Sequence, residues 1–303
     1  MQDELKKLED IYSLQEDQFE DYKNKALMTL TTGVQPSKDK TLIIVGGQPG
    51  AGKSRLSVAA NEELQRNAVI VDFDELRAMH PYYQSVCKSY PDIVHRILQY
   101  DTNSCKKEIL KALIEKEYNV IYEGALRVTQ GFIDFANDFK KNGYSIKMNV
   151  MAVPSLESYG STFVRYSLSL LTNKTPRWVE KSLHDASYDG VLKTVQAFDE
   201  QKIADDIRVF VRGDSSDANP KKIYSTHERQ YRDSITAIEV GRENGRRQAI
   251  QDYPTKYKMV KDILQQKQPE ILDNLKQWEE LYESEVEHFR ALNEDRKSKD
   301  HIE

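Results

Sequence analysis

Cysteine is nearly missing from this chain: Cys87 and Cys105 are the only two in 303 residues. Without a disulfide framework or paired thiol spacing, the sequence points to a reducing, intracellular setting, and thiolate-held metal drops out of the candidate chemistries. Long apolar runs are missing as well. No stretch approaches the roughly eighteen apolar residues that cross a bilayer, and the opening MQDELKKLED is charged where a secretory leader needs an apolar segment. The expectation is a cytoplasmic protein that does not enter membranes. Positive charge is not in surplus either, with 44 Lys plus Arg against 49 Asp plus Glu and a net charge of −5. Phosphate-backbone binding needs clustered positive charge, so a general nucleic-acid coat and a polybasic membrane binder are both excluded.

What is present starts with an uneven charge distribution. Residues 1–20 hold seven acids (Asp3, Glu4, Glu9, Asp10, Glu16, Asp17, Glu20) against Lys6 and Lys7, so the other 283 residues sum to zero. In the same stretch Leu5, Leu8, Tyr12, Phe19, Tyr22 and Ala26 recur at helical spacing and trace one apolar stripe, which predicts a docking helix and not a free acidic tail. Thr31, Thr32 and Gly33 end it, a polar link runs over 36–40, and the first segment is taken as residues 1–40.

Five short β-rich runs follow, at 42–45, 68–71, 120–122, 146–150 and 208–211. They alternate with helical patterns, notably 91–117, 128–141 and 178–203, and the first four are apolar with little alternation. That is the pattern of an α/β fold with a five-stranded parallel sheet covered by helices on both faces. The core is placed at 41–213. Beyond Gly213 the turn-rich SSDANPKK gives way to a charged, helical remainder with a stripe at Leu272, Leu275, Trp278, Tyr282, Val286 and Phe289, read as a C-terminal helical extension over 214–303.

The first run leads directly into Gly47-Gln48-Pro49-Gly50-Ala51-Gly52-Lys53-Ser54. This is G-x-x-x-x-G-K-[ST] in its required context of strand, glycine loop and helix. Glycines let successive backbone N–H groups turn inward around phosphate oxygens, Lys53 reaches the β and γ phosphates, and Ser54 is placed to ligate Mg²⁺. A nucleoside triphosphate with Mg²⁺ is the expected ligand.

Carboxylates stand at the ends of the next two strands, where ligands of open α/β folds bind. Asp72 and Asp74 follow the second, and two roles there need acids: a base for an acceptor hydroxyl and a group supporting Mg²⁺. An Asp before a run such as ELRAMH is also an ordinary helix N-cap, and both uses can coexist. Glu123 and Arg127 follow the third strand, Glu123 placed for acceptor hydroxyls and Arg127 for an anionic part, with a structural ion pair as the plain alternative. Arg165, on a helix beginning near Ser155, and Arg177, after the loop TNKTP, bracket a loop beyond the fourth strand. Lids of P-loop kinases bring positive charge there; solvent-facing helix arginines are the other reading.

Taken together, GGQPGAGKS, VDFDELRAMHP, YEGALR, MAVPSLESYGSTFVRY and RWVEKSLHD, in this order, resemble the zeta-toxin family of bacterial toxin-antitoxin modules. The likeness covers about residues 15–213, from the DQF element and LTTG onward. It implies a P-loop kinase that uses ATP and Mg²⁺ to phosphorylate the 3′-hydroxyl of the amino sugar of UDP-N-acetylglucosamine, a product that poisons peptidoglycan synthesis, and an antitoxin protein that blocks the ATP site. Carried over by motif, it makes Asp74 the general base, Lys53 the phosphate-binding lysine and Glu123 a substrate-binding residue. Arg165, in FVRY, and Arg177, eight residues before Asp185 of the His184-Asp185 pair, become the arginines on the transferred phosphate. Ala125 departs from the Thr that many members carry. That leaves open a kinase for another nucleotide or dinucleotide acceptor, and the long helical C-terminal part leaves open a nucleotide-dependent interaction protein.

Overall fold

The computed structural model describes residues 2–90, 93–172, 176–213 and 218–299. In chain order the elements are α1 (Gln2–Ile11), α2 (Glu16–Thr31), β1 (Thr41–Gly46), α3 (Lys53–Glu63), β2 (Val69–Val71), α4 (Phe73–Ala78), α5 (Tyr83–Ser89), α6 (Val94–Ile97), α7 (Gln99–Glu115) and β3 (Val120–Gly124). They continue with α8 (Thr129–Lys141), β4 (Ser145–Met151), α9 (Ser155–Leu171), α10 (Lys181–Glu200), β5 (Asp206–Val211), β6 (Lys221–Ser225), α11 (Ser234–Lys267), a 3₁₀ segment (Pro269–Asn274) and α12 (Leu275–Lys299).

The sheet order is β2-β3-β1-β4-β5-β6. The first five strands pair in parallel, Leu42 opposite both Val120 and Ile146, as the sequence predicts. β1 is buried throughout and sends alternate side chains to two cores. Leu42 and Ile44 enter the larger one with Val120, Met148 and Val209. Ile43 and Val45 enter the other, with Leu56 and Ala60 of α3 beneath them. Burial on both faces is why these strands read as unbroken apolar runs. Chain order reverses beside β1, so the crevice at its carboxyl end is the natural ligand site of such a sheet.

A sixth strand extends the parallel five. β6 pairs antiparallel with β5 beyond a register shift at Val209/Phe210. This segment, KKIYS, reads in sequence as part of the junction and helical remainder, because an edge strand with exposed Lys221 and Lys222 carries no apolar run. The N-terminal stripe is likewise two helices. The chain breaks within its seven-residue step from Tyr12 to Phe19: Leu14 N–H donates to Asp101 at 3.0 Å and Gln15 N–H to Gln18 at 3.1 Å. Leu5, Leu8 and Tyr12 pack on Val86, Ile97 and Leu98, whereas Tyr22 and Ala26 enter the larger core. The helix expected over 91–117 resolves into α6 and α7, with residues 91–92 outside the described set.

α9 is a shared wall. One side faces the glycine loop, and on the other Leu156, Tyr159, Phe163 and Tyr166 join Ala249, Tyr253, Val260, Leu264, Leu275 and Trp278 of the C-terminal helices in a separate apolar core. No described helix is long and apolar enough to cross a membrane.

Candidate active site

The loop after β1 turns on glycines where other residues would not fit. Gly50 has φ +76°, and a Cβ there would sit 2.0 Å from the Ser158 carbonyl oxygen; Gly52, at φ +97°, is the N-cap of α3. Lys53 opens that helix. Its ammonium lies back over the loop, donating to the carbonyls of Gly47 at 2.8 Å and Gln48 at 3.2 Å. Burial pushes it down to about 8, against the opposing pull of Glu123 and Asp72 and with help from Arg177 and Arg165.

Carboxylates meet this lysine from two strands. Glu123, at the end of β3, accepts from the Ser54 hydroxyl at 3.4 Å, and its carboxyl is raised by burial while Lys53 holds it back. Asp72, at the end of β2, caps α4, its Oδ1 accepting from Asp74 N–H at 2.8 Å. Its carboxyl is raised by burial and held back by Arg177, Lys53, Arg165 and Arg77. Capping and a place in the charged site therefore coexist in Asp72. Asp74, half-buried in the first turn of α4, pairs with Arg77 at 2.8 Å and with Arg177.

Lys53, Asp72, Asp74, Glu123, Arg165 and Arg177 thus form one electrostatic cluster beside the glycine loop. Arg165 comes from α9, and Arg177 from the segment leading into α10, its side chain 47% exposed. Residues 173–175 of the intervening TNKTP lie outside the described set. Arg127 is not drawn in: it is exposed and makes no salt bridge among the described residues.

Two further arginines, given no role by any sequence motif, hold the site. Arg77 is buried, its guanidinium 4.7 Å from the Phe73 ring centroid and bonded to Asp74. Arg212, at the carboxyl end of β5, donates to the Gly50 carbonyl and, at 3.0 Å, to the Ser161 hydroxyl, and pairs with Glu157 at 2.8 Å. Its position at a strand end was a readable signal of the same kind that marks Asp72 and Glu123.

No group of three or more His, Cys, Asp or Glu among the described residues is arranged to cage a metal ion. A serine hydroxyl and carboxylates beside a phosphate cradle are nevertheless hard oxygen donors of the kind Mg²⁺ takes, one or two from protein and the rest from phosphate and water. The residues present fit that ion.

A parallel sheet whose first strand feeds a glycine loop and lysine, with acids at the ends of the next two strands and arginines facing them, defines a P-loop phosphotransferase. The chain belongs to the zeta toxin family: the family profile described as Zeta toxin matches residues 24–223. It is 32% identical over 204 residues to Toxin zeta of Streptococcus pyogenes, covering 67% of this chain and 71% of that one. It is 34% identical over 199 residues to Toxin zeta of Streptococcus agalactiae, covering 65% and 69%. Among solved structures, a chain from the PezAT chromosomal toxin-antitoxin system of Streptococcus pneumoniae superposes with a TM-score of 0.71 at 22% identity, covering 82% of this chain and 98% of that one. The AvrRxo1-ORF1:AvrRxo1-ORF2 complex with ATP gives a TM-score of 0.50 at 13% identity, over 77% and 70%, a likeness of fold.

Proposed function

We infer that the protein is an ATP-dependent kinase that phosphorylates the 3′-hydroxyl of the amino sugar of UDP-N-acetylglucosamine, acting as a toxin against peptidoglycan synthesis and restrained by an antitoxin at the ATP site. The observation that carries this reading is the Asp74–Arg177 pair beside the glycine loop. A base for a hydroxyl and a cation for a phosphoryl group thus stand side by side, the two groups an in-line transfer brings to the reacting atoms. Membership of the zeta toxin family supports the acceptor, and the toxin-antitoxin origin of the PezAT structure supports the protein partner.

In this reading the loop amides and Lys53 hold the β and γ phosphates. The sugar hydroxyl approaches Asp74, whose carboxylate takes its proton as the new O–P bond forms, while Arg177 turns from Asp74 to the transferring group and Arg165 joins it. Glu123 accepts hydrogen bonds from the acceptor; Arg127, exposed and outside the charged cluster, has no role in this step. Ser54 with Asp72 would hold Mg²⁺, which would supply neutralisation of phosphate charge. Catalysis is then mostly positioning and electrostatics.

Incubation of wild type and Asp74→Ala with ATP, Mg²⁺ and UDP-N-acetylglucosamine, read by mass spectrometry, tests it. Wild type adds one phosphate to the acceptor; Asp74→Ala loses about a thousandfold or more in rate while still binding ATP. No phosphate gain with wild type would remove this acceptor, and Ala125, half-buried beside Glu123, makes another nucleotide or a dinucleotide the next acceptor to assay. An unchanged rate in the variant would remove Asp74 from the chemistry.

A further inference from the structure

The His184-Asp185 pair, used by no step above, sits in the first turn of α10 with both imidazole nitrogens engaged. Nδ1 is 3.1 Å from Asp185 Oδ1, and Nε2 is 2.9 Å from the Ser158 hydroxyl on α9. Ser158 also accepts from Gln48 Nε2 at 3.0 Å, and that amide nitrogen donates to the Val153 carbonyl at 2.9 Å. Gln48 belongs to the glycine loop, and Gln48, Ser158 and His184 are all fully buried. Asp185 is tied in turn to Lys181 at 2.5 Å. A continuous chain of hydrogen bonds therefore runs from the start of α10, through α9, into the phosphate-binding loop.

Donor and acceptor capacities fix its direction. The Asp185 carboxylate only accepts, so the ring hydrogen belongs on Nδ1; Nε2 then accepts the Ser158 hydroxyl hydrogen, and the Ser158 oxygen accepts from Gln48. Burial holds the imidazole below the usual histidine range, Asp185 pulls the other way, and Lys181 and Arg242 add to the lowering. The order Ser–His–Asp is that of a nucleophile triad, yet Ser158 is sealed from solvent and its remaining neighbours are the carbonyls of Pro154 at 3.0 Å and Ser155 at 3.2 Å. No substrate carbonyl reaches it, so the group orders structure instead of reacting.

What it orders is the cationic half of the site. Arg165 lies seven residues beyond Ser158 on α9, which is about two helical turns. Arg177 lies in the segment entering α10, where Trp178 is edge-on to Phe163 at 5.2 Å and to Tyr166 at 5.4 Å, both on α9. We propose that His184 is a positioning residue for phosphoryl transfer: through Ser158 and Gln48 it holds the glycine loop, α9 and α10 in one register, so that Lys53, Arg165 and Arg177 converge. This rests on the kinase reading above, and a misplacement of about 1 Å among such groups costs on the order of a hundredfold in rate.

Steady-state transfer from ATP to UDP-N-acetylglucosamine is measured for wild type, His184→Leu, Ser158→Ala and His184→Gln, each carried forward once circular dichroism shows it folded. His184→Leu and Ser158→Ala lower kcat about 10- to 100-fold with the acceptor KM held within about threefold. His184→Gln, whose side-chain oxygen can take the Ser158 hydroxyl, recovers kcat to within about fivefold of wild type. An unchanged kcat in folded Ser158→Ala, or a loss in His184→Gln as deep as in His184→Leu, overturns the proposal. Should wild type fail on this acceptor, the acceptor reading alone falls. The four proteins are then ranked by ATP hydrolysis, which uses the same loop and arginines; the same order supports the positioning role and equal rates overturn it.

Discussion

Lys53 is the residue whose environment says most about binding. Its amine is pushed down to about 8 by burial, whereas a lysine holding phosphate must be charged. The direction of the pH dependence follows. Below about pH 8 the amine already carries its proton and ATP binds with no net uptake; above it, binding draws one proton in and affinity falls as pH rises. Titration calorimetry at about pH 7 and pH 9, in two buffers of different ionisation enthalpy, is expected to show uptake climbing from near zero towards one proton. Uptake that stays near zero at both pH values would mean that Lys53 is already charged at pH 9 in the free protein or does not hold the phosphates. Lys53 and Ser54 were legible in the sequence through the glycine-loop motif, and Asp72, Asp74 and Glu123 because they stand at or just past the ends of recognisable strands, where position in the chain already fixes place in the fold. Arg77 and His184 were not legible in their roles. Those depend on which neighbour packs against them, Phe73 and Asp74 for one and Ser158 for the other.

At the scale of the element, α4 shows how one carboxylate serves two purposes. Asp72 caps the helix through Asp74 N–H and also faces Lys53, Arg165 and Arg177. Asparagine separates these roles, since it retains the cap and discards the charge. Asp72→Ala is expected to lose about 1 kcal/mol in denaturant unfolding and Asp72→Asn only a few tenths, while both lose transfer activity. Full activity in Asp72→Asn would leave Asp72 a cap alone. Unbroken apolar runs were a good guide to the four strands buried on both faces. Apolar spacing was a poor guide between α1 and α2, where one apparent stripe serves two separate clusters across a backbone break, and in β6, where a strand at the sheet edge has a wet face.

At the scale of the whole molecule, the C-terminal helices serve as the backing of α9. Trp278 is 1% exposed and stacks on Phe163 at 5.3 Å, and a Cβ on Gly160 would lie 2.3 Å from its ring. Tyr159 and Tyr166 donate to Gln277 and Gln268 at 3.0 and 2.6 Å. Because α9 carries Arg165 and braces the glycine loop, loosening its outer face disturbs the inner one. Trp278→Ala is expected to lower unfolding free energy by about 3–5 kcal/mol and to reduce transfer by more than the folded fraction explains. A loss under about 1 kcal/mol would mean that these helices rest on α9 without holding it.

The edge strand has a further consequence, for how the molecule behaves in a crowd. An open sheet exposes unpaired backbone groups at its margin and invites a second chain to pair there. Here the outermost strand is five residues long, begins with exposed Lys221 and Lys222, and joins its neighbour across a register shift. Shortness, like charge and irregular pairing are the devices that make an edge a poor template. The segment with the least apolar sequence in the sheet thus works against chain-to-chain stacking, and its lack of hydrophobicity is what suits it to that margin.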